Sequence, residues 1–214
     1  MTLLANNINL EIENTLGTAT AITAITQANP GVATSAGHGL SNGEWVKLLT
    51  SDGMNGINKQ LVRVANVATD TFELEGIDTT NESAFSTGTF QEVTAWYTLC
   101  QATSINIGNA APTEVDGTTL CSANSVTLYG LPGSISGTID IHHEPAASAI
   151  AKLKSATTST ILAFRATWSD GSISAFNAIT AYSGGFNAAL NSIITGQIPV
   201  TVPASNPGIV EYAS

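Results

Sequence analysis

The residues from Asn7 to Ile25, NINLEIENTLGTATAITAI, set apolar side chains at Ile8, Leu10 and Ile12 with polar ones between them. A period of two buries one face of an extended chain and predicts a long, half-buried strand. From Thr26 to Phe90 the pattern breaks into short β-prone runs separated by turn chemistry: NPG at Asn29, GHG at Gly37, SNG at Ser41, SDG at Ser51 and NG at Asn55. Short strands punctuated this closely predict a small barrel or sandwich. From Gln91 onward the runs lengthen into VTAWYTLCQATSINI, SVTLYGLPG, SISGTIDIHH, STILAFRATW and SISAFNAITAYS, spaced as hairpins and meanders. Turns are expected at Leu131-Pro132-Gly133 and Ser169-Asp170-Gly171.

One helix interrupts the strands, near 145–156. In EPAASAIAKLKSA, Pro145 suits a first helical turn, Ile150 and Leu153 form an apolar stripe with the alanines, and Lys152 and Lys154 sit at the cation-favouring end. The tail ITGQIPVTVPASNPGIVEYAS carries three prolines, which predict an edge strand followed by a loose extension. The fold class is all-β with one short helix.

Charge sharpens this picture. Only 10% of the 214 residues are charged, against about 25% in an ordinary soluble domain, so the surface is polar but largely uncharged. Disorder is not expected, because 43% of the chain is hydrophobic. The net charge of −10, with six Lys and Arg in all, argues against a grip on nucleic-acid phosphates, which needs clustered cations. MTLLANNINLEIEN has no basic leader ahead of an apolar core, so no secretory signal is expected, and no apolar run reaches membrane-spanning length. Cys100 and Cys121 fit neither a redox nor a zinc spacing and are expected to be reduced thiols.

No catalytic constellation emerges. His142 and His143 are neighbours in a strand-like run and point to opposite faces, so they cannot share a metal unaided. His38 lies in a tight Gly-His-Gly turn. GSISG at Gly133 places Ile135 where a nucleophile elbow needs serine. The glycines from Gly37 to Gly43 lack the Lys-Ser/Thr pair of a phosphate loop. Glu114 and Asp116 share a face of an extended chain but are too few oxygen donors for a calcium loop. No catalytic residue, cofactor site or metal site is expected, and the chain is read as a non-enzyme.

Two resemblances cover nearly the whole chain. ANPGVATSAGHGLSNGEWVKL, GMNGIN and RVANVATDTFELEGID, from Ala28 to Asp78, resemble the small β-barrel module named after the first catalytic cysteine half-domain of ubiquitin-activating enzymes. Phage tail and other virion proteins use that module widely, without a catalytic cysteine. PTEVDGTTLCSANSVTLYGLPGSISGTIDI, then ILAFRATWSDGSISAFNAITAYS, resemble the tail tube proteins of long-tailed phages with non-contractile tails. Where that family usually has Asp-x-Thr-x-Leu-Asp-Ser, this chain has Cys121 in place of the second aspartate.

The resemblances imply a tail-tube β-sandwich or barrel domain (1–24 and 93–214) carrying an inserted small β-barrel at 25–92 that projects outward. They further imply a structural virion protein: homo-hexameric rings stacked into a tube, met by tail terminator, tip and tape-measure proteins. DNA would pass through the lumen without specific binding, and no membrane is involved. The tail would be assembled in the host cytoplasm. Six copies at −10 each place about −60 on a ring, an acidic wall that repels DNA. Physical logic agrees, since long strands with few charges leave edges that sister copies can cover.

By the same resemblance the loop from Asn109 to Ala123 bridges to a neighbouring ring or subunit, with Pro112, Glu114, Asp116, Thr118 and Leu120 as the contact candidates. The alternative function is a head decoration or adhesion protein of a virion carrying the same module. An adhesin would present aromatic platforms, whereas Trp45, Trp96 and Trp168 lie in strand-like runs and are expected in a core or interface.

Overall fold

The computed structural model describes residues 8–213 except 110, 113, 122, 131–133, 157–158 and 204–207. β1 (Asn9–Leu16) leads into β2 (Thr20–Ile22), β3 (Ala24–Ile25), β4 (Val32–Thr34), β5 (Trp45–Asp52), β6 (Leu61–Ala65) and β7 (Thr71–Leu74). The longest strand, β8 (Thr87–Thr98), is followed by β9 (Ala102–Asn109) and by a hairpin of β10 (Glu114–Asp116) and β11 (Thr127–Tyr129). β12 (Ile135–His142) precedes the helix α1 (Ser148–Ser155), and the chain closes with β13 (Ile161–Thr167), β14 (Ile173–Thr180), β15 (Thr195–Thr201) and β16 (Ile209–Tyr212). The fold is all-β with one short helix.

β8 joins two systems. Its first half pairs β5, from Val46 opposite Glu92 to Asp52 opposite Thr87, and pairs β2 on its other edge. Its second half pairs β1, from Leu16 opposite Val93 to Glu11 opposite Thr98. β3, one residue beyond β2, pairs β4, and the pairings then run through β7, β6 and β5 back to β8. This circuit closes, so the short strands leave no edge of their own. The chain departs after Leu16 and returns at Val93, directly opposite, so the closed barrel hangs from one strand pair.

The larger sheet continues from β1 through β13, β14, β15 and β12 to β9. Alternation in β1 works as the sequence predicts: Leu10 and Ile12 are buried, opposite Ala166 and Phe164 of β13. Phe164 in turn stacks on Phe176 of β14, its register partner, at 5.4 Å between centroids. α1 covers this face with Ala149, Ile150 and Leu153. The opposite face, through Ala163, Ala175, Val210 and Tyr212, joins the core of the small barrel.

Sequence expectations fare unevenly in detail. The Ser169-Asp170-Gly171 turn forms the β13–β14 hairpin, with Gly171 at φ +86° and the Asp170 carboxylate accepting the Ser172 N–H at 3.0 Å. The Leu131-Pro132-Gly133 turn lies outside the described residues. The helix begins later than Pro145, which instead occupies a turn that Glu144 and Ala147 close by a backbone hydrogen bond. SVTLYGLPG was expected to supply a long sheet strand, yet only Thr127–Tyr129 is extended and it pairs with β10 alone. The tail also differs. β15 lies between β12 and β14 despite Pro199: β14 pairs only Val200 and Thr201, and among the described residues no other strand pairs that edge beyond a bridge to Asn187. Where a loose extension was expected, residues 209–212 form β16, which pairs β14 and buries Tyr212.

Candidate assembly surface

Three charged anchors hold the small barrel and the sheet in place. Lys47 of β5 donates to the Glu13 carboxylate of β1 at 2.7 Å and to the Ile161 carbonyl at 2.5 Å, while the Ala163 N–H also donates to Glu13 at 2.9 Å. Lys47 and Glu13 are both buried; burial pulls the lysine pKa below its ordinary value, opposed by the charge and hydrogen bond of Glu13. Arg63 forks onto Glu75 through two bonds of 2.6 Å and lies over the Tyr212 ring, whose hydroxyl accepts the Arg63 backbone N–H at 3.1 Å. Arg165 donates to Glu11 at 2.6 Å and stacks on Trp96. Trp45 meets both Trp96 and Tyr212 edge-on, and Trp168 donates its indole N–H to Ser174. The tryptophans are thus structural, as expected.

The histidines are accounted for as well. His38 accepts the Leu40 N–H at Nδ1 and contacts the Ala68 carbonyl through Nε2, which pins its turn. His142 is exposed, and His143 stands 5.0 Å from the Phe186 ring. Among the described residues no group of His, Cys, Asp and Glu could hold a metal ion.

What remains exposed points outward in three ways. First, β9 ends the sheet among the described residues, and its sequence ATSINIGN contains no charge and no proline. An eight-residue edge of this kind is a template for another strand. A groove of about 660 Å³ runs beside its start, lined by Ile8, Leu10, Leu99, Ala102, Ile105 and Trp168 among others.

Second, β9, β12 and β15 present a face of small polar residues. Ser104, Asp140 and Gln197 lie in one register row, and Asp140 accepts from Ser104 at 2.6 Å and from Gln197 at 2.8 Å. Those two donors hold the Asp140 carboxyl below the usual carboxylate range, so it is ionised at neutral pH. The next row is Asn106, Thr138 and Pro199; no Lys or Arg belongs to any of the three strands.

Third, the segment between β9 and β12 forms an arm. Its hairpin registers Glu114 with Tyr129, Val115 with Leu128 and Asp116 with Thr127, and every described side chain of the two strands is exposed. The arm is held by its own bonds: the Thr118 N–H donates to Asp116 at 2.8 Å, the Val126 N–H donates to the Thr118 hydroxyl at 2.9 Å, and the Gly117 N–H donates to the Val126 carbonyl at 2.8 Å. Thr118, through its hydroxyl and its N–H, lowers the Asp116 pKa. All five candidates from the sequence fall here: Pro112 on the approach, Glu114 and Asp116 in β10, Thr118 and Leu120 toward the tip. Leu120 is fully exposed, and Val115, Leu128 and Tyr129, which sequence reasoning missed, are each more than half exposed.

The chain exposes 11354 Å², about 2,000 Å² more than a compact protein of its mass. A family model described as phage tail tube protein, TTP, matches residues 52–208, more than half of the chain. The chain belongs to the phage tail tube protein family. No curated protein matches it. As a tail tube protein it is a structural component of the phage tail, and the uncovered surface fits a subunit that self-assembles. The matched stretch contains β9, the arm, the polar face and the helix. Among the described residues no helix is long and apolar enough to cross a membrane.

Proposed function

We propose that copies of this chain form hexameric rings that stack into the tube of a long non-contractile phage tail, a conduit for the genome at ejection. The observation that carries the reading is β9, an uncharged terminal strand with an apolar groove at its start. Ring closure pairs it with a strand of the adjacent copy and removes the open edge. The polar face of β9, β12 and β15 then lines the lumen. With Asp140 ionised and no Lys or Arg in those strands, it offers phosphates no cation to bind, and DNA slides without specific contact. No enzymatic step is involved.

The closed barrel around residues 25–92 is the inserted module of the ubiquitin-activating-enzyme half-domain type, and it decorates the outside of the tube. The arm bearing Pro112, Glu114, Asp116, Thr118 and Leu120 bridges to the neighbouring ring. Tail terminator, tip and tape-measure proteins meet the ends and interior of the stack, and the tail assembles in the host cytoplasm. Negative-stain electron microscopy of the purified protein tests the reading. Hollow filaments or six-fold annuli are the expected result; a monodisperse monomer at high concentration, with neither, overturns it.

A further inference from the structure

Among the described residues, nine of the ten large apolar side chains left exposed belong to two segments. One is the arm. The other is the loop at 181–194, between β14 and β15, where Phe186, Leu190 and Ile193 are 61%, 93% and 66% exposed. Topology puts them at opposite ends of one strand. β12 begins at Ile135 opposite Asn109, where the arm departs, and ends at His142 opposite Thr195, where the loop finishes. An eight-residue strand separates the two by about 24 Å.

Charge divides in the same way. The arm carries Glu114 and Asp116 and no Lys or Arg, and the loop carries no acid. Lys154 of α1 stands at the root of the loop, so close to Gly184 that a Cβ there would lie 2.7 Å from its Cε. Lys154 takes part in none of the three ion pairs among the described residues. Glu144, which precedes the helix, accepts a hydrogen bond from Gln101.

We propose that the arm of one copy seats its apolar side chains on the 181–194 loop of the next copy along the tube, and that Glu114 and Asp116 of the arm meet Lys154 of the receiving copy. The inference rests on the stacked-ring reading and adds the surface that receives the arm. Because donor and acceptor sit at opposite ends of β12, the contact is head-to-tail and continues as an open series, whereas an arm-on-arm contact would stop at pairs.

The native Cys121, exposed beside Leu120, provides the probe. In a Cys100→Ser background, Ala188→Cys, Leu190→Cys and Ile193→Cys are introduced singly into the full chain. Oxidised glutathione is then added; it takes up the two electrons and two protons released as each disulfide forms. At least one variant is expected to give a ladder of covalent multimers beyond the dimer on a non-reducing gel, and Cys121→Ser is expected to abolish it. Filaments by microscopy with no cross-link, or with dimers alone, overturn the proposed contact while leaving the tube reading intact. An absence of filaments in the unmodified chain overturns the tube reading and the contact with it.

Charge exchange gives a second readout. Lys154→Glu is expected to raise the protein concentration needed for assembly at low salt about tenfold, and Glu114→Lys, which leaves the Asp116 bond to Thr118 in place, to restore it. Failure of the exchange to restore assembly removes Lys154 from the contact.

Discussion

Residues 17–92 leave the main sheet after β1 and rejoin it along β8, and apart from Leu49 every large apolar side chain among them is buried or half-buried. The described residues of 110–134 leave after β9 and return at β12, and they expose Val115, Leu120, Val126, Leu128 and Tyr129. The first excursion closes its own ring of strands and is tied down by Lys47, Arg63 and the ring of Tyr212. The second forms a hairpin of two three-residue strands, with further hydrogen bonds among Asp116, Gly117, Thr118 and Val126. A single chain therefore contains one excursion whose apolar residues hold the subunit together and one whose apolar residues serve no purpose in the isolated subunit. The contact proposed above between successive copies draws on the second kind.

The contrast can be broken at the junction first, where the largest effect is expected. Glu13→Gln leaves Lys47 buried without its counter-charge and should cost about 3–5 kcal/mol in urea unfolding. The pH dependence has a definite sign. Burial lowers the folded-state pKa of Lys47, so between that value and the unfolded one the unfolded chain binds more protons, and stability rises with pH. In Glu13→Gln the raising influence of the carboxylate is gone. Its stability deficit against the parent should shrink as pH rises above neutrality, and a deficit that grows would contradict this account.

Smaller effects follow from hydrogen bonds. Tyr212→Phe removes the acceptor of the Arg63 backbone N–H and should cost about 1–3 kcal/mol, read as a lower urea midpoint with an unchanged slope. Gln60 is buried and its amide has no hydrogen-bond partner among the described residues. Gln60→Met should accordingly raise stability by about 1 kcal/mol, measured in the same way. On the arm, Leu120→Ser should leave subunit stability within about 0.5 kcal/mol while filament yield falls. A large loss of subunit stability from Leu120→Ser would show that the two excursions are not different in kind.

Much of the fold was legible. The alternation through Ile8, Leu10 and Ile12, the Asn- and Gly-rich turns from Asn29 to Asn55, and the Ser169-Asp170-Gly171 hairpin each rest on interactions between residues close in sequence. The arm was less so. Its five candidates came from family likeness, because Glu114, Asp116 and Thr118 alone read as an ordinary polar loop. Val126 and Leu128 alternate as a sheet strand would, with Tyr129 beside them, and nothing local reveals that no sheet covers them. The loop residues Phe186, Leu190 and Ile193 carry no local signal either. Their meaning depends on standing at the far end of β12 from the arm, and that relation exists only once β9, β12 and β15 are paired.

By itself the sequence determined the alternating first strand, the Asn- and Gly-rich turns, the Ser169-Asp170-Gly171 hairpin and the presence of one helix, because side-chain periodicity and φ preferences act over a few residues. It also determined that the surface would be acidic and short of charge. Only the tertiary structure decided that Lys47 and Glu13, far apart in the chain, meet in a dry junction. The same is true of the proline-bearing tail, whose last strand returns to bury Tyr212, and of the two apolar segments facing opposite ways along one strand. Burial and separation of this kind are properties of packing between distant segments, and no short window of residues encodes them.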